Sequence, residues 1–381
     1  MTTDLHFLFA PFPGSLGHYG HLFRHLMGHG YPVHLWTMEP IDPELVETLA
    51  PGLRCHRLPL GRSSRDPVDA LRTVVRTIRL AVEYPRSTFT LWSNQTYLLC
   101  GPPLRVLGRR SIFLVPGLGT IFSSDLLRFR MLRRAVVPVF RWLFRGPSSR
   151  VIVLNRDDLV FMTDVIGVPR DQVFLMHGGC GVDPARFPFD EQLPERRPRV
   201  VLVPARLIHQ KGIFDAARAS RMLCDRGVAH EMWFSSDIDP GNPLTLTRDE
   251  VASLPAISPA IRVLGYQPTM APVYRAAYAV CLPTHREGIP TALVEASAIG
   301  RPVVTTDAVG PRDLIWHEYN GLVVPVGDAV ALAAALERVL TDDELARRLQ
   351  RNAYDHYLRN CTSHATLQQA LPAFASLGVE A

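Results

Sequence analysis

Lysine is nearly absent from this chain: among its 41 Lys+Arg residues a single one, Lys211, is lysine. Also missing is any run approaching the roughly 20 consecutive apolar residues that a membrane-spanning helix needs, so no such helix is expected. The start, Met1-Thr2-Thr3-Asp4, lacks the basic opening of a secretory signal, and the expected location is the cytoplasm. Six cysteines (Cys55, Cys100, Cys180, Cys224, Cys281, Cys361) include no Cys-x-x-Cys pair. That spacing excludes a zinc ribbon and a disulfide framework, and it fits reduced thiols. Internal repeats and low-complexity segments are missing as well.

What is present is a chain of 381 residues, 47% hydrophobic and 20% charged, long enough for two domains with separate cores. The net charge of +5 is modest but unevenly spread. Between Leu126 and Arg150 stand Arg128, Arg130, Arg133, Arg134, Arg141, Arg145 and Arg150, with no acid among them. Leu127, Phe129, Met131, Leu132, Phe140, Trp142 and Phe144 are interleaved. Such a mixture suits a helix lying in an anionic lipid interface, with Phe140 and Trp142 as inserting side chains. Nucleic acid would accept the charge but would be served poorly by so many aliphatic groups, and no nucleic-acid partner is expected. A core helix with solvated arginines is the other reading of the same pattern.

Apolar strand-like runs alternate with helix-forming stretches, the signature of an α/β protein. Strands are predicted at 5–10, 32–37, 89–92, 111–115, 151–154 and 173–176, with a helix over 21–28. A charged, proline-rich stretch at 187–198 reads as a linker. Alternation then resumes with strands at 200–203, 231–234, 261–264, 279–282, 302–305 and 321–324, followed by helices over 328–340 and 342–358. The predicted division is a first domain over 1–190 and a second over 191–362, with a C-terminal helix over 363–381 packing back on the first.

Three groups of residues could carry chemistry. The loop after the first strand holds Gly14, Gly17 and Gly20, spaced Gly-x-x-Gly-x-x-Gly. A nicotinamide-binding fold needs Gly-x-Gly-x-x-Gly, so this loop and Glu39 after the second strand only mimic one. The run Pro204-Ala205-Arg206-Leu207-Ile208-His209-Gln210-Lys211-Gly212 places two cations directly after a strand. Lys211 there supplies a compact ammonium beside the wide guanidinium of Arg206. The run His285-Arg286-Glu287-Gly288-Ile289-Pro290-Thr291-Ala292-Leu293-Val294-Glu295 follows another buried strand and turns into a helix, with Pro290 just inside its start. Free N–H groups at that start form a ready anion site. Glu287 precedes the helix and Glu295 lies within it, so the two carboxylates address different parts of a ligand.

Together with His177-Gly178-Gly179-Cys180-Gly181-Val182-Asp183 and Asn320-Gly321-Leu322-Val323-Val324, these runs resemble the retaining glycosyltransferases of family 4. Glu287 and Glu295, separated by seven residues, match that family's most characteristic motif. The match extends from the first glycine loop to about Gly327. Pro116-Gly117-Leu118-Gly119-Thr120-Ile121-Phe122 and Val151-Ile152-Val153-Leu154-Asn155-Arg156-Asp157-Asp158-Leu159 look like a subgroup that builds bacterial surface polysaccharides on polyprenyl diphosphate carriers.

The resemblance implies a GT-B fold, two doubly wound Rossmann-like domains facing each other across a cleft. It implies transfer of a hexosyl or N-acetylhexosaminyl group, with retention, from a nucleotide-diphosphate sugar to a lipid-linked saccharide. Uridine diphosphate is expected over guanosine diphosphate on family grounds alone. Arg206 and Lys211 would hold the donor diphosphate, Glu287 the donor sugar near its reacting centre, and Glu295 the ribose hydroxyls. Gly288, Ile289, Pro290 and Thr291 would cap the phosphates, and Gly265 and Gln267 would border the base. Gly14 and Gly17 would line the donor site from the acceptor side. No cofactor and no metal are expected, since no Asp-x-Asp occurs in a suitable loop. The enzyme would sit peripherally on the inner face of the cell membrane through 126–150.

Many relatives carry a histidine in the loop where this chain reads Val115-Pro116-Gly117, so no catalytic base is assigned; His18, His177 and His285 stay as neighbours only. A GT-B enzyme acting on a soluble acceptor and a non-catalytic, membrane-attached GT-B scaffold remain alternatives.

Overall fold

The computed structural model describes residues 3–9, 18–59, 66–117, 127–239 and 244–381. They form two compact units, one of Met1–Met176 with Thr366–Ala381 and one of His177–Ala365. Gly14, Gly17 and the Leu118–Phe122 part of the surface-polysaccharide signature lie outside the described residues.

The first unit runs β1 (Leu5–Phe9), α1 (Gly20–Gly28), β2 (Val33–Thr37), α2 (Pro43–Leu49), β3 (Arg54–Arg57), α3 (Pro67–Glu83), β4 (Thr88–Leu91), α4 (Asn94–Val106), β5 (Arg110–Val115), α5 (Leu127–Phe144), β6 (Ser149–Val153), α6 (Arg156–Val160) and β7 (Val173–Leu175). Its seven strands are parallel, in the order β3-β2-β1-β4-β5-β6-β7. Every residue of β1, β2 and β4 is buried, as expected of parallel strands covered on both faces. That is why they read as short, largely apolar or β-branched runs, with His6 and His34 as the polar exceptions on β1 and β2.

Two elements here carried no such signal. β3, Arg54-Cys55-His56-Arg57, is largely exposed and pairs with β2 alone, so its polar composition suits a sheet edge. α3 begins at Asp66, whose side chain accepts from Val68 N–H at 2.8 Å, and Pro67 fills its first position.

The arginine-rich segment is helix α5, but its aromatic residues do not all face outward. Val136, Phe140, Leu143 and Phe144 are buried, and Phe140 and Phe144 pack on the Tyr97 ring at centroid distances of 6.1 and 5.8 Å. The spacing of these four positions places them on one face of a 3.6-residue helix, which the sheet claims. Phe140 is therefore a core residue and not an inserting one. Trp142, Leu127, Met131 and Leu132 stay exposed, as do Arg130, Arg134, Arg141 and Arg145.

The second unit runs β8 (Arg199–Val203), α7 (Ile213–Asp225), β9 (His230–Phe234), α8 (Arg248–Ile257), β10 (Ile261–Val263), α9 (Ala271–Ala276), β11 (Ala279–Leu282), α10 (Thr291–Ile299), β12 (Val303–Thr306), α11 (Pro311–Leu314), β13 (Leu322–Val324), α12 (Ala329–Thr341) and α13 (Asp343–Asn360). Its six parallel strands are ordered β10-β9-β8-β11-β12-β13. The last helix, α14 (Ser363–Ala375), returns to the first unit, where Phe374 meets Phe7 and Arg150 donates to Ser376 Oγ at 2.8 Å.

The division falls at Met176, ahead of the proline-rich stretch, because residues 177–190 are fastened to the second unit. Val182 N–H donates to the Cys361 carbonyl at 3.0 Å and Tyr357 OH to the Val182 carbonyl at 3.0 Å. The fully buried Arg301 pairs with Asp190 at 2.6 Å and also donates to the Tyr274 carbonyl. None of the six cysteines is in a disulfide. Among the described residues, no helix is long and apolar enough to cross a membrane.

Candidate active site

In an open parallel sheet the chain leaves the central strands in opposite directions, and a crevice opens at their carboxyl ends. In the second unit that point lies between β8 and β11, which pair with each other. The segments leaving these two ends are Pro204–Gly212 and Pro283–Pro290, the two runs with the charged residues singled out above.

The first segment is held close to the second by backbone contacts. A single turn over His209–Lys211 ends at Gly212, which has φ of 67°. A Cβ there would lie 1.9 Å from the Pro283 carbonyl oxygen, so both the left-handed conformation and the close approach require glycine. His285 N–H donates to the Gln210 carbonyl at 2.9 Å, and Thr284 Oγ1 donates to the same carbonyl at 3.1 Å. This stitching brings the Lys211 ammonium onto Glu287 Oε1, where it donates a hydrogen bond. The pair is largely buried, with side chains 15% and 14% exposed, and Thr284 Oγ1 also donates to Glu287 Oε1 at 3.2 Å.

Arg206 is placed differently. Its guanidinium is 39% exposed and donates to Asp239 Oδ2 at 2.9 Å. Asp239 is itself positioned by its N–H, which donates to Thr245 Oγ1 at 3.0 Å. His285 pairs with Asp215 at 3.0 Å, and that hydrogen bond holds the Asp215 carboxyl below the usual range.

α10 starts at Thr291 with Pro290 as its N-cap, one position earlier than the first-turn placement expected. No side chain caps this start, so its first N–H groups point along the helix axis towards the β11 end. Gly310, at φ of 94°, packs where a Cβ would sit 2.4 Å from the Gly288 carbonyl, which shapes the turn. Ile289 is buried, only 8% exposed, and lies against Gly179. It contributes packing, and any ligand contact from it would come through its backbone.

Glu295 lies on the helix and accepts from Tyr274 OH at 2.9 Å. Burial pushes its carboxyl up to about 7, while the Tyr274 hydrogen bond and the charge of Arg186 pull it down. Gly265 and Gln267 follow the edge strand β10, and Gln267 Nε2 donates to the Leu264 carbonyl at 3.0 Å.

The structure thus brings Lys211 and Glu287 together as one pair, while Arg206 and Glu295 each have their own partner. Asp239, Asp215 and Tyr274 were missed from the sequence, because they lie far along the chain from the groups they hold. Tyr266, 70% exposed between Gly265 and Gln267, was passed over as well, although an aromatic between two named residues was a readable signal.

Residues 186–356 match the family model described as "Glycosyl transferases group 1". The chain is 30% identical over 243 residues to the putative colanic acid biosynthesis glycosyltransferase WcaL of Escherichia coli, covering 61% of this chain and 58% of that protein. It is 23% identical over 255 residues to the N,N'-diacetylbacillosaminyl-diphospho-undecaprenol alpha-1,3-N-acetylgalactosaminyltransferase of Campylobacter jejuni, covering 63% and 64%. The chain therefore spans about six-tenths of the length of each of these curated relatives.

Among solved structures, sucrose-phosphate synthase from Thermosynechococcus elongatus superposes with a TM-score of 0.81 at 19% identity, covering 99% of both chains. Anabaena HepE in complex with UDP-glucose gives 0.77 at 16% identity, covering 98% and 99%. At these identities the likeness concerns the fold, and that fold is GT-B. The chain carries a group 1 glycosyltransferase domain, residues 186–356, within a GT-B fold.

Proposed function

We propose that this protein transfers a sugar, with retention, from a nucleotide-diphosphate donor to a polyprenyl-diphosphate-linked saccharide during synthesis of a surface polysaccharide. The observation that carries this reading is the Lys211–Glu287 pair, set at the β8/β11 reversal beside the uncapped start of α10. The HepE complex with UDP-glucose supports a uridine diphosphate donor, and the Campylobacter relative supports a lipid-linked acceptor.

Breaking the bond between the anomeric carbon and the diphosphate leaves a cationic carbon and a more negative leaving group. Cations aimed at the leaving oxygens are worth more in that transition state than before it. Lys211 and Arg206 supply two such charges, and the N–H groups around Gly288–Thr291 supply the dipole. Glu287 holds the ammonium until the donor arrives and then faces the sugar. Glu295 accepts from ribose hydroxyls, and Tyr266 stacks on the base between Gly265 and Gln267. The reading assigns the leaving diphosphate to these two cations and the helix start rather than to a metal, so turnover is expected to survive chelation. Retention follows if the leaving phosphate oxygen takes the proton of the incoming hydroxyl and guides it onto the same face.

The exposed part of α5, with Arg130, Arg134, Arg141 and Trp142, supports peripheral attachment to an anionic inner-membrane surface. The test is a screen of nucleotide sugars against a polyprenyl-diphosphate-linked acceptor, read by mass. Near-normal turnover in both Lys211→Ala and Arg206→Ala would sink the assignment. Turnover on soluble sugars without the lipid acceptor would favour the soluble-acceptor alternative.

A further inference from the structure

Thr284 lies just beyond the end of β11, and its side chain is fully buried. Three oxygens are within reach of its hydroxyl: the Gln210 carbonyl at 3.1 Å, Glu287 Oε1 at 3.2 Å and the Arg286 carbonyl at 3.5 Å. A hydroxyl has one hydrogen to give, so these oxygens compete for it. The two nearer ones are not alike. The Gln210 carbonyl also accepts from His285 N–H at 2.9 Å, and it keeps that partner whichever way the hydroxyl turns. Glu287 Oε1 also accepts from Lys211, a partner on a flexible stem.

The surroundings of this hydroxyl are fixed. Thr306, the last residue of β12, donates its own hydroxyl to the Thr284 carbonyl, and Thr305 donates to the Leu282 carbonyl at 2.7 Å. Glu287 N–H donates to the Val309 carbonyl at 3.0 Å. A Cβ on Gly310 would sit 2.9 Å from Glu287 Cβ, so the stem of the glutamate is crowded on that side. The Thr284 hydroxyl thus meets a carboxylate whose root is held, and its own hydrogen is free to turn.

The inference rests on the transferase reading, in which the ammonium of Lys211 is drawn from Glu287 to the oxygens of the departing diphosphate. A carboxylate only 14% exposed is costly to leave without a donor. We propose that Thr284 is a positioning residue for Glu287: its hydrogen turns from the Gln210 carbonyl to Glu287 Oε1 as Lys211 departs, and it holds the carboxylate towards the donor sugar. Thr284 acts through Glu287 and touches no substrate. Serine would supply the same hydrogen, whereas valine, of nearly the same shape, would supply none.

Transfer and binding are measured on the full chain carrying Thr284→Val, Thr284→Ser or Thr284→Cys. Thr284→Val should lower kcat by roughly 10- to 100-fold, the loss expected for a hydrogen bond to a charged group, while donor KM and uridine diphosphate affinity stay within about twofold. Thr284→Ser should keep kcat within about threefold of the parent. Thr284→Cys, a weak donor, should fall between them, a comparison that stands even if valine unsettles the fold. In a Glu287→Ala background Thr284→Val should cost no further kcat, because the carboxylate it serves is gone. Parent-like kcat in Thr284→Val, or an undiminished loss in the Glu287→Ala background, overturns the proposal. So does a loss of kcat matched by weaker uridine diphosphate binding, which would make Thr284 a prop of the diphosphate site. A parent chain that neither transfers sugar nor binds uridine diphosphate overturns the transferase reading and this inference with it. An active parent matched by Thr284→Val overturns this inference alone.

Discussion

Both units are parallel sheets wound outward from a central reversal, yet they keep their charges in different places. In the second unit the charges meet at the strand ends, already in pairs: Lys211 with Glu287, Arg206 with Asp239, His285 with Asp215. In the first unit the arginines stand on the outer faces of α3 and α5, while the interior holds the neutral histidines His6 and His34, neighbours in register on β1 and β2. In the second unit the loops leaving the central strands bring these opposite charges together; in the first, Asp4 pairs with His34 at 3.3 Å at the opposite, amino-terminal end of β1 and β2. His6, which clusters with His34 and Asp4, is kept uncharged chiefly by burial.

The largest effect should come from the second unit. Lys211→Gln is expected to lower kcat/KM by about 10³-fold, roughly 4 kcal/mol of transition-state stabilisation, with an unchanged circular dichroism spectrum. Arg134→Gln, an exposed arginine of α5, should leave turnover of a soluble acceptor analogue intact. If the two variants were equally active, the contrast between the units would be gone.

Next is stability within α5. Phe140→Ser should destabilise the first unit by about 3 kcal/mol, and Trp142→Ser by less than about 1 kcal/mol, in chemical denaturation. Equal losses would mean that the helix is rotated from the orientation described.

A smaller catalytic loss, about 10²-fold, is expected for Arg206→Ala, because Arg206 is half-exposed and already shares its charge with Asp239. A loss matching that of Lys211→Gln would show that the exposed cation carries as much of the leaving-group charge as the buried one.

Acid should separate the units. Burial lowers the pKa of His6 from 6.5 to about 3, helped by the neighbouring His34 and His56. The unfolded chain therefore binds a proton that the folded one refuses between those values. The stability lent by neutral His6 is whole above pH 6.5 and declines towards pH 3, by up to about 1.4 kcal/mol per pH unit. A His6→Phe variant that melts with the same pH slope as the parent would contradict this account.

The finest test concerns Glu295. With its carboxyl near 7, donor kcat/KM should fall as pH drops through neutrality, because the protonated form loses its capacity to accept from the ribose. Tyr274→Phe removes a hydrogen bond that favours the carboxylate, so the acidic limb should move to higher pH. A limb that stays in place or moves down would remove Tyr274 from the site.

Much of this was legible along the chain because parallel strands and short loops write local signals. The runs at β1, β2, β8 and β11 are buried on both faces and mostly apolar, and the Arg206/Lys211 and Glu287/Glu295 spacings each lie within a single loop or helix start. The partners were not legible. Asp239 lies 33 residues beyond Arg206, and Tyr274 lies 21 before Glu295; only the sheet order brings them near. β3 has too little apolar surface to announce itself. In α5 an arginine count could not say which side of the helix the sheet would bury.

By itself, then, the sequence determined an α/β chain in two halves and the residue types available at two strand ends, since backbone pattern and loop chemistry are local properties. The tertiary structure decided which charges neutralise each other, that Phe140 is core, and that Val68, Leu71, Val75, Ile78 and Val82 face outward. Those outcomes depend on how a helix is rotated against its sheet and on contacts between segments as many as 76 residues apart, and no local pattern carries that information.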